Sequence, residues 1–324
     1  MKAIQVTALG GPEVLKLVDV PEPVPAAGQI RVRNRAVAIN FHDVGSRRNG
    51  EPGLAVPFVP GTDFAGEVDA VGEGVTAWRT GDRVLCIHLH GAYAEKSLAL
   101  APLAVRVPEG VSFEQAACCP VAGLTAYFLV KDLHVDARSV VLGHAAAGSV
   151  GCFLGGLLRE VGATSIGLVS SAAKAEVARR AGWTHVIDYR AKDVRAEVRA
   201  RTGGRGVDVV YDSVAGPRFG QGFELCAPEG TVVLFGRAAG DPPDGAVLET
   251  FLRSGRNLGL RTYFLGTTIA HRLPEIGPAY AALFDGLRSR RIELPIETLP
   301  LAAAADAHAR LESQRTVGKL VLLP

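Results

Sequence analysis

The chain has 324 residues, of which 48% are hydrophobic and 21% are charged, so it can bury one large core or two smaller ones and is not disordered. The formal net charge is +2 and the sequence contains no dense basic run interleaved with aromatic residues, so nucleic acid is not an expected partner. Five cysteines without a Cys-x-x-Cys pair argue against a disulfide framework and a clustered zinc site. The amino terminus lacks the apolar run and cleavage site of a secretory signal, so we expect a cytoplasmic protein.

The amino-terminal third of the chain is typical of a compact β domain. Apolar and polar residues alternate over residues 29–39 and 63–71, as they do on half-buried strands. Turn sequences such as Gly-Gly-Pro-Glu and Thr-Gly-Asp-Arg separate the alternating runs. Short strands punctuated in this way predict a small β-barrel.

From Ser139 onward the pattern changes to apolar runs of strand length separated by helical patterns. Five such runs begin at Ser139, Thr164, Thr184, Val207 and Thr231. Between them, residues 172–181 and 192–201 have the composition and apolar spacing of amphipathic helices. Each connection is long enough for the crossover that parallel strands require. The pattern predicts an α/β fold with a doubly wound parallel sheet.

Residues 139–158 contain no charged side chain, and a stretch of that length could cross a bilayer. The alternative is a buried strand, a tight turn and a buried helix. Val140 to Leu142 are too few and too β-branched to favour helix, and small residues at 145–149 break the stretch in two. Repeated strand and helix patterns follow, so we expect the second structure and no membrane span.

The turn at residues 146–151 matches the dinucleotide fingerprint G-x-G-x-x-G, with Ala146 in place of the first glycine. Such a turn brings bare backbone close to a pyrophosphate, and the helix that follows offers unpaired N–H groups. The motif alone is weak evidence, but its position between a strand and a helix makes it specific. The predicted cofactor contacts at this turn are Ala147, Gly148, Ser149, Val150 and Gly151.

The end of the second strand indicates which nicotinamide cofactor is used. An acidic residue there would hold the adenosine ribose of NAD, but this chain has Ser170, Ser171 and Lys174 instead. Tyr189 and Arg190 follow the third strand. Hydroxyls and cations suit a 2′-phosphate, which a carboxylate would repel. We therefore expect NADPH rather than NADH; the alternative is that Lys174 is only a solvated helix residue.

Segments along nearly the whole chain resemble the zinc-free quinone oxidoreductases, the branch of the medium-chain dehydrogenase/reductase superfamily that includes zeta-crystallin. They are GGPEVL (10–15), AINFHD (38–43), VPGTDFAGEVDAVG (59–72), GDRV (81–84), GAYAE (91–95), AGLTAY (122–127), AAAGSVG (145–151), GVDVVYDSVAG (206–216) and TVGKLVLLP (316–324). The resemblance implies a GroES-like barrel over residues 1–122, a Rossmann domain over 123–262 and a return segment over 263–324. It also implies a cleft for cofactor and substrate, and a homodimer joined along residues 257–265, with a tetramer as the alternative.

The resemblance also bears on metals. Zinc-dependent relatives hold a catalytic zinc through a Cys where this chain has Asn40 and through a His where it has Thr62. Neither replacement is a preferred zinc ligand, and the four-cysteine lobe of those relatives is absent. His88 and His90 could share a strand face, but two histidines without a third ligand more often pack or meet solvent. We expect no metal.

Reduction of a quinone or enone requires stabilisation of the negative charge that develops on the acceptor oxygen. The candidate catalytic residues are Asn40, Tyr263 and Asp43, the last able to donate only if burial keeps it protonated. His42 is a further candidate donor. Alternatively, Asn40 and Asp43 cap a short helix and Tyr263 is a core residue.

The resemblance places further residues at the cofactor, with capping or packing as the alternative for each. These are Asn40, Thr125, Gly236 and Phe264.

These observations predict an NADPH-dependent oxidoreductase that transfers hydride to a small-molecule acceptor, a quinone or an α,β-unsaturated carbonyl, without zinc. Bacterial quinone reductases of this family often place tyrosines where this chain has Val44, Gly45 and Glu51, so a quinone is not assured as the substrate. One alternative is a tailoring enoyl reductase that acts on a larger biosynthetic intermediate. Another is a non-catalytic, crystallin-like protein that binds NADPH.

Overall fold

The computed structural model describes residues 1–51, 53–239 and 245–324, and the chain folds into two units. The first unit contains Met1–Leu124, Gly277–Arg288 and Pro295–Pro324. The second contains Thr125–Ile276 and Ser289–Leu294.

The chain up to Asp132 supplies most of the first unit and the first helix of the second. Its elements are β1 (Lys2–Val6), β2 (Leu15–Asp19), β3 (Gln29–Ala38), α1 (Phe41–Asn49), β4 (Asp63–Val71), β5 (Arg83–Ile87), β6 (Lys96–Leu100), β7 (Val105–Arg106), α2 (Phe113–Ala117), a π-helical turn (Cys119–Gly123) and α3 (Leu124–Asp132). On β3, Ile30 and Val32 are buried while Arg33 and Arg35 are exposed, which confirms the predicted alternation.

The second unit alternates strands and helices as predicted. Its elements are β8 (Val140–Gly143), α4 (Ser149–Glu160), β9 (Thr164–Val169), α5 (Ala172–Ala181), β10 (His185–Asp188), α6 (Val194–Arg201), β11 (Val207–Asp212), α7 (Phe219–Leu225), β12 (Cys226–Leu234), α8 (Gly245–Leu252), β13 (Gly259–Thr262) and α9 (Leu265–His271). The strands form one parallel sheet in the order β10-β9-β8-β11-β12-β13. The order reverses between β8 and β11, which is where ligands bind in doubly wound sheets.

The chain then returns to the first unit through α10 (Leu273–Arg288), β14 (Ile296–Pro300), α11 (Ala304–Glu312) and β15 (Lys319–Leu323). These strands complete a sheet in the order β14-β15-β3-β4-β5-β7, with β6 paired to β3. The predicted return at residue 263 lies earlier than the observed one, since the second unit continues to Ile276. Ion pairs hold this segment: Arg272 lies 2.7 Å from Asp132 and 2.8 Å from Glu275.

The register of the first sheet gathers polar residues at one end. Antiparallel pairing of β3 with β4 places Ala38 opposite Asp63, and pairing of β15 with β3 places Val321 opposite Ala38. The same register brings Lys319, at the start of β15, alongside Asn40, just beyond β3.

The uncharged stretch 139–158 folds as strand β8, a turn and helix α4. Among the described residues, no helix has both the length and the apolarity needed to cross a bilayer.

Candidate active site

The predicted phosphate turn joins β8 to α4 at the centre of the parallel sheet. Gly148 is the N-cap of α4 in extended conformation, and its N–H donates to Ala145 O at 2.8 Å. A Cβ on Gly151 would lie 2.4 Å from Ala145 O and 2.6 Å from Ala146 O, closer than any real Cβ contact. Only glycine therefore fits at position 151. The N–H groups in the first turn of α4 have no partner within the helix and carry the positive end of its dipole.

Ala146 replaces the first glycine of the fingerprint, and the neighbouring strand β9 leaves room for its extra methyl group. Ala146 is fully buried and its N–H donates to Leu168 O on β9 at 3.1 Å. A Cβ on Gly167 of β9 would lie 2.6 Å from the Ala146 Cβ. The missing side chain at Gly167 thus makes room for the methyl group of Ala146, and the turn keeps its shape.

Trp183 supports the turn from the opposite side, a role that the sequence analysis missed. Its indole Nε1–H donates to Gly151 O at 2.9 Å, and it is 3% exposed. A Cβ on Gly143, Gly155 or Gly167 would lie less than 3.0 Å from the indole ring, so these glycines form a socket for it. Trp183 is one of two tryptophans in the chain, and this rarity was the available signal.

The predicted 2′-phosphate residues lie together at the carboxyl ends of β9 and β10. Ser170 follows β9, and Ser171 caps α5, where its hydroxyl oxygen accepts from the Lys174 N–H at 3.3 Å. Tyr189 and Arg190 follow β10. Burial and, to a lesser degree, the charge of Arg190 lower the pKa of the Lys174 ammonium. Two cations close to one another favour an anion at this edge of the sheet.

Three of the remaining predicted cofactor residues lie in the same unit, and the fourth, Asn40, lies in the first unit. Gly236 follows β12, and a Cβ there would lie 2.6 Å from Ser213 O, so this glycine permits a close backbone approach. Thr125 is 6% exposed near the start of α3. Phe264, just beyond β13, is 67% exposed and is not a core ring. Direct contact of these residues with a cofactor stays a prediction.

Tyr263 follows β13, at the same edge of the sheet as the phosphate turn. Its backbone N–H donates to Leu234 O at 2.9 Å, and its hydroxyl accepts from Thr268 Oγ1 at 3.3 Å. Burial raises the pKa of the Tyr263 phenol to about 12, so the hydroxyl keeps its proton at neutral pH. Tyr263 can therefore donate a hydrogen bond.

His144 and Asp212 flank the switch point between β8 and β11, and neither was predicted. His144 Nδ1 lies 3.7 Å from Asp212 Oδ1, and burial lowers the pKa of His144. Asp212 is 1% exposed; its Oδ1 accepts from the N–H groups of Val214 and Ala215, and its Oδ2 has no protein partner among the described residues. Asp212 therefore fixes the backbone of the loop that follows β11.

In the first unit, Asn40 is the centre of a buried hydrogen-bond network. The Lys319 ammonium donates to Asn40 Oδ1. Asn40 Nδ2 donates to Thr62 Oγ1 at 3.1 Å and to Asp63 Oδ2 at 3.0 Å, and Thr62 Oγ1 donates to Asp63 Oδ1 at 2.9 Å. Asp63 also accepts from the Val121 N–H at 3.0 Å. Both amide hydrogens of Asn40 are engaged, so in this arrangement Asn40 does not act as the predicted donor to a substrate oxygen.

Asp43 has the capping role that the sequence analysis gave as the alternative. Its Oδ2 accepts from the Asn40 backbone N–H at 2.7 Å and from the Tyr93 hydroxyl at 3.1 Å. The Tyr93 hydroxyl also lies 3.0 Å from His308 Nε2. Burial raises the pKa of Asp43 to about 6, so the carboxyl is mostly ionised at pH 7 and is a poor proton donor there.

A second buried contact ties α1 to the return segment. Arg47 is 0% exposed; its guanidinium lies 2.5 Å from Glu312 Oε1, and its Nε donates to Gly10 O at 3.1 Å. Helix α1, which carries Asp43, is therefore held by α11.

The sequence matches the family model described as an alcohol dehydrogenase GroES-like domain over residues 26–131 and the model described as a zinc-binding dehydrogenase over residues 181–322. A quinone oxidoreductase from Pseudomonas aeruginosa is 38% identical over 328 residues, which cover 100% of this chain and 99% of the relative. The chain belongs to the quinone oxidoreductase branch of the medium-chain dehydrogenase/reductase superfamily.

Two further members of the superfamily are similar over nearly their full lengths. A 2-haloacrylate reductase from a Burkholderia species is 35% identical, covering 97% of this chain and 96% of the relative. The crystal structure of Escherichia coli quinone oxidoreductase complexed with NADPH matches with a TM-score of 0.93 at 34% identity, covering 100% of both chains. These matches confirm the predicted fold class, a GroES-like domain with a Rossmann-type parallel sheet.

The family model matched by the carboxyl-terminal half is described as zinc-binding, so we asked whether the residues of this chain suit a zinc ion. Asn40 and Thr62 supply an amide and a hydroxyl, and the Lys319 ammonium contacts that amide. Zinc does not prefer an amide or a hydroxyl as a ligand, and the neighbouring ammonium would repel the ion. These residues therefore do not fit Zn²⁺. His88 and His90 lie with ring centroids 5.4 Å apart, and His88 Nδ1 lies 2.9 Å from the His90 carbonyl oxygen. In the described parts of the chain, no group of three or more His, Cys, Asp or Glu side chains could hold a metal ion.

At the positions where the family resemblance implied tyrosines, the chain has a polar group. Glu51 Oε1 lies 3.4 Å from His42 Nε2 and accepts from the Ser46 hydroxyl. His42 and Glu51 are partly exposed, at 36% and 28%. Val44 is buried in α1. The group offers an imidazole and a carboxylate where a tyrosine would offer a ring face and a single hydroxyl.

Proposed function

We propose that this chain is an NADPH-dependent reductase that transfers hydride, without zinc, to a small-molecule acceptor, either a quinone or an α,β-unsaturated carbonyl. The observation that carries the proposal is the phosphate turn at Gly148 and Gly151, at the switch point of a parallel sheet, with Lys174 in the first turn of α5 and Arg190 just beyond β10. Similarity to a quinone oxidoreductase solved with NADPH supports the same conclusion.

The cofactor is NADPH, and the residues of the second unit fit it. The backbone N–H groups at residues 147–151 hold the pyrophosphate against the positive end of the α4 dipole. The Lys174 ammonium, the Arg190 guanidinium and the Ser170 hydroxyl hold the 2′-phosphate. When bound, the dihydronicotinamide supplies the hydride, and the protein's task is to position it and to stabilise charge.

The acceptor oxygen gains negative charge as the hydride arrives, and Tyr263 is the proposed donor to it. Its pKa of about 12 keeps the phenol protonated, and its hydroxyl already accepts from Thr268, which orients the ring. Asp43 is mostly ionised at pH 7 and accepts a hydrogen bond from the Asn40 backbone, so it is not the proposed proton donor.

A second acceptor class is supported by the relatives. The Burkholderia protein is a 2-haloacrylate reductase, so reduction of an activated carbon–carbon double bond occurs in the superfamily at 35% identity to this chain. The His42–Glu51 group in place of tyrosines removes an aromatic surface on which a quinone ring could stack, which also favours an enone. An enoyl reductase acting on a larger intermediate is therefore the second candidate.

A cofactor titration followed by an acceptor panel tests the proposal. Dissociation constants are measured for NADPH and NADH by quenching of protein fluorescence, and NADPH oxidation is then followed at 340 nm with quinones, enones and an acrylate series. Tighter binding of NADPH and turnover of one acceptor class support the proposal. Equal or tighter binding of NADH would overturn the cofactor assignment, and tight NADPH binding without turnover would favour the non-catalytic alternative.

The proposal includes a homodimer and a cytoplasmic location. Strand β13 lies at the edge of the six-stranded sheet, paired with β12, so residues 257–265 offer an edge for a second copy. The five cysteines are free and buried, which fits a reducing compartment. Light scattering coupled to size exclusion measures the mass; a monomer at micromolar concentration would refute the dimer.

A further inference from the structure

An exposed arginine lies on an aromatic ring at the carboxyl edge of the parallel sheet, and it has no part in the function proposed above. The Cζ atom of Arg218 lies over the Tyr189 ring, 5.1 Å from the ring centroid. Arg218 is exposed, and within the described residues 1–51, 53–239 and 245–324 it forms no ion pair. A guanidinium held by a ring rather than by a carboxylate is available to a ligand.

The contact joins two loops that lie far apart along the edge of the sheet. Tyr189 follows β10 and Arg218 follows β11, and strands β9 and β8 lie between those two strands. Neighbouring strands are about 4.8 Å apart, so three spacings separate the two strand ends by about 14 Å. The side chains of Arg218 and Tyr189 therefore bridge the carboxyl ends of β8 and β9, the edge at which doubly wound sheets bind ligands.

The charge of Arg218 also acts on the residue that follows β8. Burial is the main cause that lowers the pKa of His144, the charge of Asp212 opposes it, and the charge of Arg218 lowers the pKa further. His144 directly follows β8, and the phosphate turn starts from the same strand end. Arg218 therefore lies close to the turn that is assigned to the pyrophosphate.

The residues around Arg218 and Tyr189 hold both side chains in place. Asp212 Oδ1 accepts from two backbone N–H groups of the loop that leads to Arg218, at 2.7 and 2.9 Å. Phe219, the next residue, is 1% exposed and belongs to the hydrophobic core cluster against which Tyr189 packs. The core therefore supports the Tyr189 ring, and the guanidinium covers the ring from the solvent side.

A guanidinium held over a ring offers a flat face to a ligand. Guanidinium groups stack on aromatic rings and on nucleic-acid bases, whereas phosphates are bound through the N–H groups at their edges. In the proposed complex the 2′-phosphate already has Lys174 and Arg190, and the pyrophosphate has the turn before α4. The part of the adenosine half that still lacks a partner is the flat adenine base.

We infer that the adenine base of the dinucleotide stacks on the Arg218 guanidinium, which the Tyr189 ring holds in position. The inference rests on the proposed function, since it assumes that an adenine dinucleotide binds to the second unit. Arg218 then contributes affinity that NADPH and NADH share, because both carry the same base. Lys174, by contrast, is assigned to the 2′-phosphate, which only NADPH carries.

Calorimetric binding of two cofactor fragments to Arg218→Ala tests the inference without any turnover. ADP-ribose carries the adenine base and the pyrophosphate, and its 2′-phosphate derivative adds only the group that distinguishes NADPH from NADH. Loss of the stacking contact should raise both dissociation constants by the same factor, roughly 3- to 30-fold. Arg138→Ala, which removes an exposed arginine before β8 at the opposite edge of the sheet, is the matched control and should change neither.

Arg218→Lys separates the flat group from the positive charge. Lysine keeps the charge but has no planar group, so this variant should still lose at least about threefold in affinity for both fragments. Binding by Arg218→Lys within about twofold of the wild type would mean that charge alone matters. A loss confined to the 2′-phosphate derivative would place Arg218 at that phosphate instead. Either result would overturn the inference.

Two variants of Tyr189 test whether its ring carries the guanidinium. Tyr189→Phe keeps the ring and should bind ADP-ribose within about twofold of the wild type. Tyr189→Leu removes the ring, so it should weaken ADP-ribose binding in the wild-type background and cause no further loss in an Arg218→Ala background. Additive losses in this cycle, or equal binding of ADP-ribose by the wild type and Arg218→Ala, would overturn the inference alone. Failure of the wild-type chain to bind either fragment would refute the proposed function, and the inference with it.

Discussion

Two glycines of the phosphate turn should respond to the same substitution in different ways. An alanine Cβ at Gly151 would lie 2.4 Å from Ala145 O, about 0.6 Å inside the limit of real contacts, so the helix start or the turn must shift. Overpacking of this kind costs about 1–3 kcal/mol of unfolding free energy. At Gly148 the nearest atom would be Ala145 O at 3.2 Å, and the residue has an extended conformation that alanine adopts readily, so Gly148→Ala should change stability by less than about 0.5 kcal/mol.

The affinity for NADPH should fall in both variants, including Gly148→Ala, whose stability is nearly unchanged. The space at the Gly148 Cβ position is nearly free of protein atoms, and we expect the pyrophosphate to use it. A methyl group there would separate the phosphate from the backbone N–H groups, and loss of one hydrogen bond to a charged group costs about 1.5–3 kcal/mol, or roughly 10- to 150-fold in affinity.

Thermal unfolding and NADPH titration of both variants measure the two effects. Gly148→Ala should keep the wild-type melting temperature and lose NADPH affinity, whereas Gly151→Ala should lose both. Gly148→Ala protein that binds NADPH within about twofold of the wild type would refute the placement of the pyrophosphate on this turn.

Three further predictions concern charged groups. Lys174→Ala should weaken NADPH binding by about tenfold and leave NADH binding unchanged, since its ammonium is assigned to the 2′-phosphate; Lys192→Ala, in the same unit, is the control and should change neither. Glu312→Gln should lower the unfolding free energy measured in urea by about 3 kcal/mol, because it leaves the Arg47 guanidinium buried without a counter-charge; a loss below 1 kcal/mol would contradict this. Burial raises the pKa of Asp43 to about 6, above the value of about 3.9 in an unfolded chain, so its contribution to stability is complete below pH 4 and is lost as pH rises through 6. Relative to Asp43→Asn, the wild-type chain should therefore lose up to about 3 kcal/mol of stability between pH 4 and pH 7, and a constant difference over that range would contradict the raised pKa.

Much of the second unit could be predicted from local patterns. Helix α5 has the predicted bounds Ala172–Ala181, and each of the five predicted strands is present. Strand β13 gave no comparable signal, because an edge strand with mostly exposed residues has no strong apolar pattern, and only the family resemblance indicated it. The second unit continues to Ile276, beyond the predicted boundary at residue 262, and the ion pair between Arg272 and Asp132 within that unit joins residues 140 positions apart.

In the candidate site too, local sequence predicted some residues, whereas others depend on contacts between distant parts of the chain. Gly148, Gly151 and Lys174 were predicted because a phosphate turn and the strand that follows it are contiguous in sequence. Trp183 was missed, since its contact with Gly151 spans 32 residues and depends on glycines from three elements. Asn40 was named as a donor because its residue type allows either role, and only its neighbours decide which atom of the amide remains open.

The sequence by itself determined that a β domain precedes a doubly wound sheet, that bare backbone meets a phosphate near Gly151, and that cations replace the acid at the end of the second strand. Each of these features depends on residues within about one strand-turn-helix unit, where local periodicity and turn chemistry govern the conformation. Only the tertiary structure decided that Lys319, which is 279 residues from Asn40, fixes the amide of Asn40, and that Asp43 is buried with its pKa raised to about 6. Hydrogen-bond direction and burial are set by what the whole fold brings against a side chain, and no local pattern records them.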